Sequence, residues 1–343
     1  MLSFEEFQEY VKENIKDFLP EELQSAEVKI ISVTKNNGLK LQGLSVLPEG
    51  ENVSPSIYLE SFYETYQDGR SLSGIMQQIA NTTMKHMSPE GLETVGMDLK
   101  NFDYVKDKII MVAVNREKNE ELLKEIPHTY REDLAIIYKV LVGLSDCEYS
   151  SVTIRNEYMN FWDASTDMIH ELAMANTREL LPTTVQSMSE VVKEMFEKDG
   201  LDPELCDAAF NKQRMEEQMF VISNKLRING AANIFYEDVL AEIADRIGTD
   251  LYILPSSIHE CIAVSTHTAT VEELAEMVES VNACEVAEAE QLSDHVYYYD
   301  AKNRTLSLAD TSVEELGLKA AEDSQEYNKT EVNEEVAHPR KHR

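Results

Sequence analysis

An Asn-Gly turn between two β-rich runs commits the first part of this chain to a hairpin. The runs are EVKIISVT and LKLQGLSVL, and the tetrapeptide Lys35-Asn36-Asn37-Gly38 separates them. Asn and Gly both tolerate the positive φ angles that a tight turn between antiparallel strands requires. The pattern therefore predicts two paired strands near the N-terminus, joined by a turn at Asn37 and Gly38.

Capping boxes mark the starts of three helices. In each box a Ser or Thr caps the first turn, a Glu follows three residues later, and apolar residues recur beyond it at helical spacing. The pairs are Ser3 with Glu6, Ser187 with Glu190, and Thr270 with Glu273. Two further helices are predicted over residues 71–84, where Ser71 is a suitable N-cap, and over residues 239–247, which Gly248 terminates.

Apolar runs predict further strands, and a final hairpin turns at residues 300–303. The runs cover residues 109–114, 135–144, 152–154, 219–223, 231–236, 251–254 and 261–264. In the final hairpin, Tyr297 and Tyr299 are expected to share one face of a strand, with Tyr298 on the other. The mix of hairpins, helices and further strands predicts an α+β fold with mainly antiparallel sheets.

The chain has 343 residues, which is too long for one ordinary core and suits about two domains. We expect a mixed N-terminal α+β lobe over residues 1–155 and a C-terminal α+β lobe over residues 214–310. Residues 156–213 carry mainly helical periodicity and are predicted to form a helical connector between the lobes. Residues 311–343 are polar and are predicted to form a flexible, disordered tail.

Acidic residues outnumber basic ones by 64 to 31, which gives a formal net charge of −33. Such a surface repels nucleic-acid phosphates and anionic lipids, so neither nucleic acid nor a membrane is expected as a partner. The charge favours a basic protein partner, and an acidic DNA mimic is an alternative function. The N-terminal residues lack the basic and apolar segments of a signal peptide, so we expect a cytoplasmic location.

The segment LYILPSSIHECIAV places a small polar group between two apolar runs. If the runs pair as strands, Ser256, Ser257, His259 and Glu260 lie at a hairpin tip. Three roles are open for this tip: a turn that caps its own backbone, a binding loop, or a catalytic site. No Gly-x-Ser-x-Gly elbow exposes a serine nucleophile, so no catalytic residue is assigned. A hydrolase-like enzyme that uses His259 and Glu260 for acid–base chemistry stays an alternative.

Other patterns of cofactor chemistry are incomplete. There is no glycine-rich phosphate loop, and the sequence HELAM lacks the second histidine of a zinc-protease helix, because Met174 stands at that position. The four cysteines match no zinc spacing, and Cys147 and Cys261 lie in apolar surroundings that favour buried free thiols. We therefore expect no cofactor and no metal site.

Three strings together resemble an uncharacterised bacterial family. They are NVSPSIYLESFYETYQDGRSL at residues 52–72, NGAANIFYEDVLAEIA at 229–244 and DLYILPSSIHECIAV at 250–264. The family is a domain of unknown function from gut Clostridia of the Lachnospiraceae type, often found near mobile elements, and the resemblance extends from the first helix to about residue 309. It implies a bacterial protein but no activity, ligand or catalytic residue.

The family's recurring strings mark eight candidate binding positions. They are Asn52, Ser54, Pro55, Tyr58, Ser256, Ser257, His259 and Glu260. Because no phosphate loop, metal set or catalytic triad is recognisable, we expect a non-enzymatic binding or regulatory module rather than an enzyme.

Overall fold

The computed structural model describes residues 1–50, 54–87, 99–145, 148–200 and 218–309. Within these ranges the helices, in chain order, are α1 (Phe4–Asn14), α2 (Glu60–Gln67), α3 (Leu72–His86), α4 (Phe102–Val105), α5 (Glu120–Leu123), α6 (Asn156–Trp162), α7 (Thr166–Leu180), α8 (Met188–Lys198), α9 (Glu237–Ile247) and α10 (Val271–Cys284). Three short 3-10 helices also matter for the site, and they span Asn36–Gly38, Gly230–Phe235 and Glu288–Glu290.

Strands occur along the whole described chain. They are β1 (Glu27–Thr34), β2 (Lys40–Leu47), β3 (Ser56–Tyr58), β4 (Ile109–Asn115), β5 (His128–Arg131), β6 (Leu134–Ser145), β7 (Glu148–Thr153), β8 (Thr183–Ser187), β9 (Phe220–Asn224), β10 (Leu251–Leu254), β11 (Cys261–Ser265), β12 (Tyr297–Asp300) and β13 (Thr305–Leu308).

The strands form three sheets. The N-terminal sheet has the order β1-β2-β3, and in the central sheet β6 pairs with β4, β5 and β7. The C-terminal sheet has the order β13-β12-β10-β11-β9-β8. Every pairing between these described strands is antiparallel, so the predicted α+β fold with mainly antiparallel sheets is confirmed.

Local sequence chemistry accounts for the hairpin at the N-terminus. Strands β1 and β2 pair from Glu27 opposite Leu47 to Thr34 opposite Lys40, as predicted. The turn between them contains Asn37 with φ of 59° and a glycine at position 38 with φ of 71°. These are left-handed angles, which Asn and Gly adopt at little cost, so the turn residues determine where the strands reverse.

The predicted helix boundaries follow from capping. In all three capping boxes the hydroxyl of the N-cap residue accepts the N–H of the glutamate, and the glutamate carboxylate accepts the N–H of the N-cap. Ser71 caps α3 by accepting the N–H of Gly74. Helix α9 ends at Gly248, which has a left-handed φ of 82°. Glycine adopts this angle easily because it has no β-carbon.

Buried side chains form two large cores. The N-terminal core packs α1 and α3 on the N-terminal sheet and includes Phe7, Leu44 and Ile75. The main core joins the central and C-terminal sheets with α7 and α9, and it includes Tyr138 and Phe220. Burial of these large apolar and aromatic side chains is the main stabilising contribution to each core.

The two cores divide the chain by position. Fully buried members of the N-terminal core lie within residues 7–80, and those of the main core lie within residues 105–308. The predicted domain boundaries at residues 155, 213 and 310 stay a prediction. The predicted tail, residues 311–343, lies outside the described residues.

Two assignments from the sequence need correction. The run AANIFY was predicted to be a strand, but Gly230–Phe235 forms a 3-10 helix. Its first N–H groups, those of Gly230 and Ala231, are taken by the carbonyls of His259 and Ile258, so the segment turns across the sheet end instead of joining it. The segment predicted as helical also contains β8, which pairs with β9 at the edge of the C-terminal sheet.

Candidate functional site

The polar segment between β10 and β11 is the tip of a hairpin, as the sequence predicted. Leu251 lies opposite Ser265 and Leu254 opposite Ile262, so residues 255–260 connect paired strands. Ser256, Ser257, His259 and Glu260 are all partly buried there.

Ser257 caps the backbone of its own turn. Its Oγ accepts the N–H of His259 at 3.0 Å, which is the short-range bond that a serine in a turn offers. The backbone of Ser257 also forms an isolated antiparallel bridge with Gln291. The Ser257 hydroxyl therefore serves the fold of the tip.

The hairpin tip packs against the chain segment that follows α10. Leu292 N–H donates to the Ser256 carbonyl at 3.0 Å, and Ser293 N–H donates to the Pro255 carbonyl at 2.9 Å. In the other direction, the N–H of Ile258 donates to the carbonyl of residue 290 at 2.8 Å. These bonds extend the sheet pairing to a third segment and fix the tip in place.

The His259 ring lies between a backbone amide and a carboxylate. Its Nδ1 accepts the N–H of Asn229 at 3.2 Å, and its Nε2 lies 3.4 Å from Oε1 of Glu290. A neutral imidazole has a single lone pair, and Asn229 uses it, so Nε2 carries the hydrogen toward Glu290. The His259 ring then has no free lone pair with which to accept a proton from a serine.

Close backbone approach holds the 3-10 helix against the tip. A β-carbon at Gly230 would lie 2.5 Å from Oγ of Ser223 and 2.7 Å from the His259 carbonyl oxygen. The Ser223 hydroxyl donates to that same carbonyl at 2.8 Å. Asn229 precedes the glycine in a left-handed conformation with φ of 53°. Position 230 therefore requires glycine, because any side chain would separate the tip from the helix.

The turn of the N-terminal hairpin docks beside this tip through uncharged side chains, which we call the amide joint: Asn36, Asn37, Asn115 and Asn119. Nδ2 of Asn37 donates to the carbonyls of residues 288 and 291 at 2.7 and 2.8 Å. Nδ2 of Asn119 donates to the side-chain oxygens of Asn36 and Asn37, each at 3.0 Å. Asn115 donates to the carbonyl of residue 292 at 3.0 Å. The joint links the N-terminal sheet to the segment that supports the hairpin tip.

The candidate positions from the N-terminal part lie in different places. Ser54 donates its hydroxyl to the carbonyl of Val46 at 2.6 Å, and Pro55 follows it on the way into β3. Tyr58 lies under the ammonium of Lys35, with Nζ 4.3 Å from the ring centroid. Asn52 lies outside the described residues.

A lysine of the central sheet lies in apolar surroundings. Lys139 on β6 is directly opposite Ile110 on β4, and it shares its face with the buried Ile137 and Leu141. Burial, and then the charge of Lys35, lowers the pKa of Lys139 from 10.5 to about 8. A desolvated ammonium of this kind loses its proton more readily than an exposed one.

The cysteine at the start of β11 is buried and unpaired, as predicted. Cys261 is fully enclosed, and burial raises the pKa of its thiol. A thiol in this state is inert. Cys147 lies outside the described residues.

A second candidate site is a cleft between the central and C-terminal sheets. It has a volume of about 370 Å³, within the range of small-molecule pockets. Four segments line it: the β5–β6 turn, the end of the 3-10 helix, the start of α9, and the β12–β13 hairpin. Tyr297 and Tyr299 point toward it from one face of β12, and the alternation of the tyrosines predicted that shared face.

The two tyrosine hydroxyls at the cleft differ in their partners. The hydroxyl of Tyr297 donates to Asp133, whose other carboxylate oxygen accepts the Ser293 hydroxyl at 2.6 Å. The residue Tyr299 is only 2% exposed, and its hydroxyl is shut off from solvent without a hydrogen-bond partner among the described residues. This hydroxyl is therefore a donor and acceptor that no described residue uses. Burying such a group without a partner lowers the free energy of unfolding by about 1–3 kcal/mol.

The charged rim of the cleft contains an exposed ion pair. Nη1 of Arg304 lies 3.1 Å from Oε1 of Glu237, and both side chains are more than half exposed. Burial raises the pKa of Tyr299, Arg304 opposes that change, and Glu237 adds to it. Both charges therefore lie within electrostatic reach of the Tyr299 hydroxyl.

Sequence reasoning missed the cleft because four distant segments build it. The alternation of Tyr297 and Tyr299 on β12 is the one part of the cleft that the sequence indicated. None of the helices in the described ranges is both long and apolar enough to cross a membrane.

Comparison with known proteins gives a family but no function. No curated protein and no solved structure matches the chain. A family model described as a family of unknown function, DUF5688, matches residues 4–301, which include the hairpin tip and the cleft residues up to Tyr299, whereas Arg304 and Leu306 lie beyond the match. The chain belongs to the DUF5688 family.

Proposed function

We propose that this chain is a non-enzymatic binding module that holds a small organic molecule in the cleft between the central and C-terminal sheets. The observation that carries the proposal is the hydroxyl of Tyr299, which is enclosed at the cleft and has no partner among the described residues. A ligand oxygen or nitrogen that bonded to this hydroxyl would remove the cost of leaving it unpaired.

The geometry around His259 supports a binding role over the hydrolase alternative. A general base needs a free lone pair within hydrogen-bond reach of the proton it takes. The Nδ1 lone pair of His259 accepts the N–H of Asn229, and the Ser257 hydroxyl accepts the N–H of His259 itself. A serine–histidine mechanism at the tip would require the bond between Asn229 and the His259 ring to break first.

Four of the eight positions named from the sequence have a supporting role in this proposal. We assign the hairpin tip, with Ser256, Ser257, His259 and Glu260, the task of fixing the C-terminal sheet against the amide joint. Its backbone groups pair with residues 290–293, and Ser293 in turn bonds Asp133 at the cleft. Binding by Asn52, Ser54, Pro55 or Tyr58 would be a separate contact.

The cellular setting is proposed from the sequence. The net charge of −33 supports a basic protein as a macromolecular partner, since opposite charge accelerates encounter. The resemblance of the three strings supports a bacterial cytoplasm, in gut Clostridia and near mobile elements.

A fragment screen on the full chain tests the proposed function. Ligand-observed NMR would be run with wild type, Tyr299→Phe, and Tyr252→Phe as the matched control. Tyr252 lies across from Tyr298 on the opposite face of the same sheet, so its hydroxyl is remote from the cleft. We expect fragments that bind wild type and the control but lose about tenfold or more in affinity to Tyr299→Phe. Fragments that bind all three proteins equally, or no bound fragment, would contradict the proposal.

A further inference from the structure

The ligand class of the cleft can be taken further, on the assumption that the proposed binding function holds. The rim pair of Arg304 and Glu237 is exposed by 58% and 62% of its side-chain surfaces. Exposed ion pairs contribute little to stability, typically about 0–1 kcal/mol, because water competes for both groups. A ligand with suitable charges can therefore open this pair at small cost.

The wall beside this pair is apolar. Phe235 at the end of the 3-10 helix and Leu306 on β13 line the cleft and are partly exposed, while Leu240 and Ile234 at the same cleft are almost fully buried. Such a surface accommodates an aliphatic group, whose burial is favourable in proportion to the apolar area removed from water. The cleft thus combines the Arg304–Glu237 rim pair, a second arginine and glutamate at positions 131 and 132, one unpaired hydroxyl and an apolar wall.

We infer that the cleft binds a free α-amino acid with an aliphatic side chain, in its zwitterionic form. The ligand carboxylate takes the place of Glu237 on Arg304 and accepts the hydroxyl hydrogen of Tyr299. The ligand ammonium pairs with the released Glu237 carboxylate. The aliphatic side chain lies on Phe235 and Leu306.

Charge balance favours a zwitterion over a simple carboxylate. A carboxylate alone would displace Glu237 from Arg304 and leave that glutamate without its cation, so one ion pair would only replace another. A zwitterion exchanges one ion pair for two. A simple anion must also approach a chain whose net charge is −33, whereas a molecule without net charge meets no such repulsion.

Isothermal titration of the full chain with leucine and its two halves tests this inference. The probes are L-leucine, 4-methylpentanoate, which lacks the ammonium, and 3-methylbutylamine, which lacks the carboxylate. We expect L-leucine to bind and each half to bind about tenfold or more weakly, since each loses a charged contact. Equal affinity for L-leucine and 4-methylpentanoate would overturn the inference.

Variants identify the group that recognises each charge. Glu237→Gln should weaken L-leucine binding about tenfold or more but not weaken 4-methylpentanoate binding, which gains from the loss of a competing anion on Arg304, and Tyr299→Phe should weaken both. Glu242→Gln is the matched control, because Glu242 is an exposed glutamate on the same helix α9. L-Leucine affinity that survives both Glu237→Gln and Tyr299→Phe would overturn the inference.

The outcomes separate this inference from the proposed function. If L-leucine fails to bind while another fragment binds in a manner that depends on Tyr299, the amino-acid inference is wrong and the binding function stands. If no compound shows dependence on Tyr299, both are wrong. Circular dichroism of each variant confirms that a loss of binding is not a loss of fold.

Discussion

Replacing Lys139 by methionine should stabilise the protein, in a way that depends on pH. Methionine keeps an unbranched stem of similar length and removes the ammonium, which faces Ile110 and lies between Ile137 and Leu141 along the strand. The wild-type protein must hold this charge away from water or release its proton on folding. Both alternatives reduce the free energy of unfolding.

The magnitude follows from the pKa of Lys139. Folding lowers it from 10.5 to about 8, and a difference of one in pKa corresponds to about 1.4 kcal/mol of stability. Because the side chain keeps part of its surface in water, we expect a cost of about 2–3 kcal/mol at neutral pH. Removing the ammonium should raise the free energy of unfolding by about that amount.

The sign of the pH dependence is fixed. Between the folded pKa of about 8 and the unfolded value of 10.5, the unfolded chain binds more protons at Lys139 than the folded chain does. The contribution of Lys139 to stability therefore rises with pH through this window, and the penalty is complete below it. The advantage of Lys139→Met should be largest near neutral pH and should shrink toward the top of the window.

Urea unfolding followed by circular dichroism, repeated between about pH 7 and about pH 10, measures this difference. Other titrating groups are common to both proteins and cancel when the two curves are subtracted. Lys85→Met is the control, since Lys85 is exposed in the last turn of α3. A Lys139→Met protein that is less stable than wild type, or a difference that is constant over the pH range, would refute the reasoning.

Three further substitutions test other parts of the structure by urea unfolding. Tyr299→Phe removes the unpaired buried hydroxyl and should leave stability unchanged or raise it by up to about 1 kcal/mol; a loss would reveal a partner for that group. Asn119→Asp replaces a donor that faces three acceptor oxygens and should lower the free energy of unfolding by about 2–3 kcal/mol. An unchanged urea midpoint would show that the amide joint contributes nothing to stability. Gly230→Ala should lower the free energy of unfolding by about 3 kcal/mol, because its β-carbon would clash with Ser223. Gly143→Ala is the control, since the nearest contact of its β-carbon would be at 3.5 Å. Equal losses for the two variants would contradict the close-approach argument.

Elements with short-range signals were predictable from the sequence. The N-terminal hairpin depends on Asn37 and the glycine that follows, and the capped helices depend on pairs three residues apart such as Ser187 and Glu190. The hairpin tip at 255–260 was also predictable, because two apolar runs flank it closely. In each case the determining residues are neighbours in the chain.

Elements that depend on distant contacts were not predictable. The segment at 230–235 has the apolar run of a strand, but its N–H groups bond to carbonyls in the hairpin tip, some 30 residues later, so it forms a 3-10 helix. Strand β8 is short and lies between two helices, and only its pairing with β9 identifies it. The cleft needs four segments at once, and Asn119 has no pattern that marks its bonds to Asn36 and Asn37.

The amide joint has a consequence for a chain that carries so many carboxylates. Its central donors and acceptors are uncharged amides and backbone carbonyls, so neither protonation nor dissolved ions alter them directly. The electrolyte acts instead on the mutual repulsion within a chain of net charge −33, which weakens as the screening length shortens. Neutral contacts therefore hold the N-terminal sheet against the segment before β12. Salt changes only the charge repulsion that acts against those contacts.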